Sequence, residues 1–436
     1  MINTKYVRDN IDAIRKSMKK RRSDYPVDDL LKLDEESRSI QTQMQALQAR
    51  RNRGSREISE AKKSGKKVDE SMARELAEVG KEIAKLDARA ASCRAKLEGL
   101  LWNMPNTLDD DVPYGKDDTE NVEVRRQGTI RKRKMQDHAE ILEGLGLVDL
   151  KQAAKVSGAR FYYLKGDLAL MEQALLRFAI DRLMKNGYEF ITPPFMLKKE
   201  YYRGATALGD FEELLYRVAD TKESENRAGY EKLEDELFLI STAEHAIAAM
   251  NSGRVFAGSE LPVKYVSASP CFRREAGSHG KDTKGIFRTH QFNKVEQFIV
   301  SRQEDSKRLF AELMANAEGL WKELGIPYRV VSICTGDIGT VAAKKYDIEA
   351  YMPGQDKFRE VVSCSNCTDW QSLRLDIKYD EKGERIYAHT LNSTAIATGR
   401  ALVAIVENYL TDKNTILVPD ALLPYMNGRR EIGARR

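Results

Sequence analysis

The chain has 436 residues, 42% of them apolar and 32% charged, with a net charge of +5. That describes a soluble globular protein of two or three domains, whose mild positive charge permits a polyanionic partner without demanding one. No run approaches the roughly 18 apolar residues of a membrane span, MINTKYVRDNIDAIRKSMKK has no signal-peptide core, and five cysteines in so long a chain argue against a disulfide framework. A cytoplasmic protein with no membrane partner is expected.

Residues 27–103 carry a seven-residue apolar rhythm. One limb runs through Leu33, Ile40, Met44, Leu47 and Ile58, the other through Met72, Leu76, Val79, Ile83, Leu86, Ala90, Cys93 and Leu97. Alternating steps of three and four make a coiled-coil seam, weakened at Gly54. Ser64-Gly65-Lys66-Lys67 breaks the pattern and fits a hairpin turn. Two antiparallel helices of roughly 50 Å each follow, at 1.5 Å per residue. Near their tip lie Arg50, Arg51, Arg53, Arg56, Lys62, Lys63, Lys66 and Lys67. Such a run is either a solvated helix face or a lever offering cations to a nucleic-acid backbone.

NMPNTLDDDVPYGKDDTE (103–120) reads as a linker. Beyond it the texture is mixed α and β. LALMEQALLRFAIDRLMKNG (168–187) predicts an amphipathic helix, and YEFITPPFM (188–196) a strand stopped by Pro193 and Pro194. The polar stretch 219–235 reads as a surface insertion.

CFRREAGSHGKDTKGIFRTHQFNKVEQF (271–298) concentrates cations, glutamates and phenylalanines. Read as strands 265–275 and 287–300 around a glycine-bearing loop, it puts Arg273 and Glu275 on one face, and Arg288, Phe292 and Glu296 on another. If those faces coincide, the surface suits a nucleoside triphosphate. Arginine forks match phosphate oxygens, a ring covers a purine, and a glutamate accepts from an exocyclic amine. An ordinary hairpin with a solvated charged face is the alternative. FREVVSCSNCTDWQSLRL (358–375) offers Glu360 beside small hydroxyls, a site for Mg²⁺ and ribose. TLNSTAIATGRALVAIVENYL (390–410) runs from a polar strand into a helix with Arg400 near the junction. No Walker P-loop occurs.

Together these strings resemble the seryl-tRNA synthetases, a branch of the class II aminoacyl-tRNA synthetases, over nearly the whole chain. FRREAG…GIFRTHQFNKVEQF is similar to motif 2, NSTAIATGRALVAIVENYL to motif 3 and YEFITPPFM to motif 1. STAEH, GDIGTVAAKKYDIEAYMPGQDKFREV, SCSNCTDWQ and the paired helical arm resemble the seryl branch. The resemblance implies an α+β protein: an N-terminal tRNA-binding domain over 1–110, with its antiparallel coiled-coil arm at 27–103, and a catalytic domain over 111–436 with a mainly antiparallel sheet flanked by helices.

It also implies residue roles. Arg273 would bridge the α-phosphate and the serine carboxylate. Glu275 would meet the adenine amine, Phe292 would stack on adenine, and Arg288 would hold the distal phosphates. Arg400 would lie on the other side of the nucleotide. Arg274, Thr289, Glu360, Val361, Val362 and Ser363 complete the ATP contacts, with Glu360 and Ser363 holding Mg²⁺ through ATP. Thr242, Ala243, Glu244, Arg273, Glu296, Asn392 and Thr394 would bind serine. Arg273, Glu296 and Arg400 are the candidate catalytic residues. The implied partners are L-serine, ATP, tRNA(Ser) and also tRNA(Sec), with the arm's cations on tRNA and a second copy completing a homodimer.

Ser241 stands where many members have proline, and the 219–235 insertion is longer than the pattern. Cys364-x-x-Cys367 invites zinc, but no second cysteine pair accompanies it and no zinc is expected. His279 and His290 flank the motif 2 loop, with His290 read as a supporting residue. The rivals are a synthetase homologue loading a carrier protein, which lacks such an arm, a non-catalytic coiled-coil protein, and a class II enzyme for another small amino acid.

Overall fold

A computed structural model describes residues 4–65, 70–207, 214–218, 236–275, 282 and 284–433. The chain divides into two compact units, Ile2–Pro105 and Asn106–Arg436. The insertion at 219–235 and His279 lie outside the described residues.

In the first unit two short helices, α1 (Thr4–Asp9) and α2 (Ile11–Arg21), precede the arm helices α3 (Val27–Lys63) and α4 (Glu70–Asn103). Pro26 stands just before α3, and Asp28 and Asp29 occupy its first turn, where carboxylates favour the positive end of the helix dipole. The predicted seam is real. Ile40, Leu86 and Cys93 are buried against Leu33, Met44, Leu47 and Ala90. Gly54 faces the other limb. A Cβ there would meet Leu76 Cδ2 at 2.8 Å, so its missing side chain makes room for Leu76.

The second unit is built on an eight-stranded sheet. Its strands are β1 (Val122–Gln127), β2 (Glu189–Phe190), β3 (Val263–Phe272), β4 (Gln291–Ser301), β5 (Tyr328–Ser332), β6 (Lys344–Met352), β7 (Lys357–Thr368) and β8 (His389–Ala397). They lie in the order β1-β5-β6-β7-β8-β4-β3-β2. Every pairing is antiparallel except β2 with β3. Of YEFITPPFM, Glu189 and Phe190 form β2, and its prolines, which cannot donate to a ladder, follow before Met196 opens a separate short strand, Met196–Lys198.

Helices α5 (His138–Gly144), α6 (Gly166–Lys185), α7 (Ala243–Met250), α8 (Ser306–Glu323), α9 (Trp370–Leu375) and α10 (Thr398–Tyr409) flank the sheet. One core joins Leu168, Leu175 and Phe178 of α6, Leu313 and Trp321 of α8, and Leu402 and Ile405 of α10 to the sheet. The period of two decides what faces what. On β4, Val295 and Ile299 enter that core, while Phe292, Lys294 and Glu296 line a cavity. On β7 and β8, Val362, Cys364, Leu391 and Ala395 enter the core, while Ser363, Ser365, Asn392 and Thr394 line the cavity.

Candidate active site

The cavity has a volume of about 430 Å³. Its walls come from β4, β7 and β8, the start of α7, both ends of the motif 2 loop, residues 338–342 and the first turn of α10. It gathers Thr242, Glu244, Arg273, Glu275, Arg288, Thr289, Phe292, Glu296, Glu360, Val361, Ser363, Asn392, Thr394 and Arg400. Three expected residues do not line it. Ala243 is buried in a neighbouring apolar cluster, and Val362 points into the main core. The Arg274 side chain is exposed, and its backbone N–H donates to the Leu214 carbonyl. Alternation with Ser363 puts Val362 in the core, and a bulge at Val361, where the register against β6 slips, lets Glu360 line the cavity as well.

The two motif 2 strands are shorter than expected. They close at the pair Phe272–Gln291, so Arg273, Glu275 and Arg288 lie in the loop ends, where alternation does not apply. Glu275 has φ of +49°. The loop is held from behind by His290. Its Nδ1 is 2.9 Å from the Arg273 carbonyl and so carries the proton, while its own carbonyl accepts from Arg273 N–H at 2.9 Å. Its ring stacks on Phe161 at 5.2 Å. Arg273 is thus fixed by its backbone, with its guanidinium 5.4 Å from the Phe292 ring centroid. Arg288 and Glu275 form an ion pair.

One end of the cavity is a carboxylate–amide network. Thr242 caps α7, accepting from Glu244 N–H at 3.3 Å, and lies 3.3 Å from Glu296 Oε2. Lys294 pairs with Glu296. Glu244 Oε1 accepts from Gln371 at 2.9 Å and from Asn392 at 3.0 Å. Burial, and then the nearby Glu296, push the Glu244 carboxyl up to about 7. His245 behind it is driven down to about 3 by burial and by Lys294 and Arg273, so it is neutral.

The other end is a cation frame. Arg400 Nη1 lies 3.1 Å from Glu360 Oε1 and donates to the Glu360 carbonyl at 2.9 Å. Arg400 and Arg359 both face the Phe287 ring, at 5.3 and 4.2 Å. Burial opposes ionisation of Glu360, but Arg400, Lys345 and Arg273 outweigh it and hold its carboxyl at about 2. Its side chain remains 47% exposed. Two carboxylates in one cavity are therefore driven in opposite directions by what surrounds them.

Several lining residues escape the motif reading: Lys294, Lys345, Cys367 and residues 338–342. Lys294 had a signal, since it alternates with Phe292 and Glu296. Lys345 lies inside the string GDIGTVAAKKYDIEAYMPGQDKFREV, but its place in the site comes from the pairing of β6 with β7. The Cys364–Cys367 pair does not converge. Cys364 is in the core and Cys367 in the cavity, and burial raises both thiols far above their ordinary range. Among the described residues, no three His, Cys, Asp or Glu side chains are grouped to hold a metal ion.

This sheet and cation-framed cavity define a class II aminoacyl-tRNA synthetase core. Residues 222–409 match the class II core domain of the G, H, P, S and T synthetases, and residues 1–108 match the seryl-tRNA synthetase N-terminal domain. The serine–tRNA ligase of Methanocella arvoryzae is 45% identical over 98% of this chain and 99% of its own. The crystal structure of the Pyrococcus horikoshii seryl-tRNA synthetase complexed with ATP is 44% identical, with a TM-score of 0.89 over 99% of both chains. The cytoplasmic serine–tRNA ligase of Naegleria fowleri in complex with AMP is 36% identical, with a TM-score of 0.83 over 97% of this chain and 95% of its own. The chain belongs to the seryl-tRNA synthetases, zinc-independent type.

Proposed function

We infer that the chain is an ATP-dependent serine–tRNA ligase: it activates L-serine to seryl-adenylate and transfers serine to the 3′ end of tRNA(Ser). The observation that carries this reading is the meeting, in one cavity, of a small polar end around Glu244, Glu296 and Asn392 with the cation frame of Arg273, Arg288 and Arg400.

The first step brings a serine carboxylate to the α-phosphorus of ATP, forming a C–O–P bond and releasing pyrophosphate. Two anions must approach in line, so fixed cations do most of the work. Arg273, braced by His290, is placed to touch both anions. Phe292 and Arg400 take the two faces of adenine. Arg288 exchanges Glu275 for distal phosphate oxygens, freeing Glu275 to accept from the adenine amine. Glu360, ionised and half-exposed, and the Ser363 hydroxyl are hard oxygen donors that fit Mg²⁺, which would neutralise phosphate charge there. No covalent bond to the enzyme is needed.

Selectivity follows from polar matching. Thr242, Glu244, Glu296, Asn392 and Thr394 leave buried groups unpaired when alanine enters, a penalty of roughly 10⁴-fold in such sites. In the second step the terminal ribose hydroxyl of tRNA attacks the seryl carbonyl and AMP leaves. The arm's cations hold the tRNA backbone, and tRNA(Sec) is a second substrate. Leu170, Met184 and Phe190, large apolar side chains 53%, 49% and 39% exposed along α6 and β2, support a homodimer through that face. Among the described residues no helix is long and apolar enough to cross a membrane, and the reading places the enzyme in the cytoplasm. Charging of tRNA(Ser) with labelled serine tests this function. No serine-dependent charging would sink it.

A further inference from the structure

Asn106 opens the catalytic unit. Its side chain is buried, only 5% exposed, and no motif includes it. Its Nδ2 donates to the carbonyls of Val341 at 2.8 Å and Cys367 at 2.7 Å, and lies 3.1 Å from Thr368 Oγ1. That hydroxyl is also 3.3 Å from Asn106 Oδ1. The Asn106 backbone N–H donates to the Thr340 carbonyl at 2.9 Å. One residue therefore ties the 338–342 loop to the end of β7.

Both tied segments are walls of the cavity, since residues 338–342 and Cys367 line it. Cys367 is the extra residue of a bulge, where the register of β7 against β8 slips between Asn366 and Thr368. Its Sγ accepts from Asn392 Nδ2 at 3.4 Å, the same amide that donates to Glu244. Thr368, next along, has φ of +45°. A β-branched residue there is an outlier, and such a conformation persists only where neighbours over-determine it. Asn366 Oδ1 accepts the Thr368 N–H at 3.0 Å, Thr368 pairs with Thr390 in the ladder, and Asn106 adds a restraint on its side chain. A carboxamide suits the task. Its two amide protons satisfy two buried carbonyls, and its oxygen accepts the hydroxyl.

We propose that Asn106 is a positioning residue for the amino-acid substrate: by clamping the Val341 and Cys367 carbonyls it holds the strained Cys367–Thr368 bulge, and through it Asn392 and Glu244. The proposal rests on the reading of that end of the cavity as the serine pocket. Through Cys367 the clamp is bonded to Asn392 and so to Glu244, which predicts an effect on serine ahead of ATP.

The test is ATP–pyrophosphate exchange with the full chain, varying serine at saturating ATP and then ATP at saturating serine. Asn106→Ala raises the KM for serine about tenfold, the effect of one lost buried hydrogen-bonding group, and leaves the KM for ATP within about twofold. Asn106→Ser, which keeps a donor, falls between and gives the reading if the alanine variant does not fold. Adding Thr368→Gly to either variant recovers part of the serine KM, because glycine holds φ of +45° without a clamp. Equal rises in both KM values, an unchanged serine KM, or no recovery with glycine overturns the proposal while leaving the serine reading intact. A wild-type chain without serine-dependent exchange removes that reading, and the proposal with it.

Discussion

The arm and the catalytic body both carry clusters of cations, and place them in different ways. On the arm, Arg51, Arg53, Arg56 and Lys63 are exposed side chains on a helix surface. In the body, Arg273, Arg288, Lys294 and Arg400 are recessed, and each is set by a backbone bond or a carboxylate. Exposed cations act through a summed, screened field, so each is weak and replaceable. Recessed cations act through geometry, so each is hard to replace. Arg50 is a bridge case: it sits among the arm's cations but is paired with Glu75. The Lys62 side chain, Lys66 and Lys67 belong to the same predicted run but lie outside what the structure describes.

This contrast breaks most sharply if the arm is removed. With the arm holding tRNA and the catalytic unit holding serine and ATP, as proposed above, deleting roughly residues 30–100 leaves serine-dependent pyrophosphate exchange within about twofold and reduces tRNA charging to background. Equal charging without the arm would refute its role. Next in size, Arg273→Ala lowers exchange by about 10²–10³-fold with the thermal transition of the fold retained, the loss expected for one preorganised charge at a transition state. Exchange retained in that variant removes Arg273 from the chemistry.

Glu244 sharpens the contrast through pH. Its carboxyl, raised to about 7, is half protonated at neutrality, and the ionised form is the better acceptor for serine. The kcat/KM for serine therefore climbs as pH rises through about 7, and Glu244→Gln flattens that limb. Stability runs the other way. A folded carboxyl raised from 4.5 to about 7 contributes stability below pH 4.5 that is lost as pH rises to about 7. A pH–rate profile unchanged in the Gln variant contradicts the assignment. The smallest effect belongs to the arm. Arg53→Ala or Arg56→Ala raises the KM for tRNA only about two- to threefold, and added salt raises that KM far more than the KM for ATP.

Much of this contrast was legible in the residues. Steps of three and four drew the arm, and the run from TLNSTAIA into a helix placed Arg400 near the junction, now the third residue of α10. What could not be read has physical causes. The motif 2 strands stop at Phe272–Gln291, and beyond them Glu275 adopts a positive φ, which no alternation rule foresees in a non-glycine residue. Lys345 reaches the cavity through strand pairing, and Asn106 bonds two segments that line it; both depend on contacts that span the unit, so their neighbours in the chain do not reveal the role. Gly54 interrupts the apolar rhythm of its limb, and the side chain it faces, Leu76 on the other limb, cannot be read from its own neighbours in the chain.

The central claim is that the polar end of the cavity selects serine while the cation frame drives adenylate formation. ATP–pyrophosphate exchange measured against all twenty amino acids tests it most directly. The expected result is exchange stimulated by serine, with alanine lower by roughly 10⁴-fold in kcat/KM. Exchange stimulated by a different amino acid, or none at all, would contradict it.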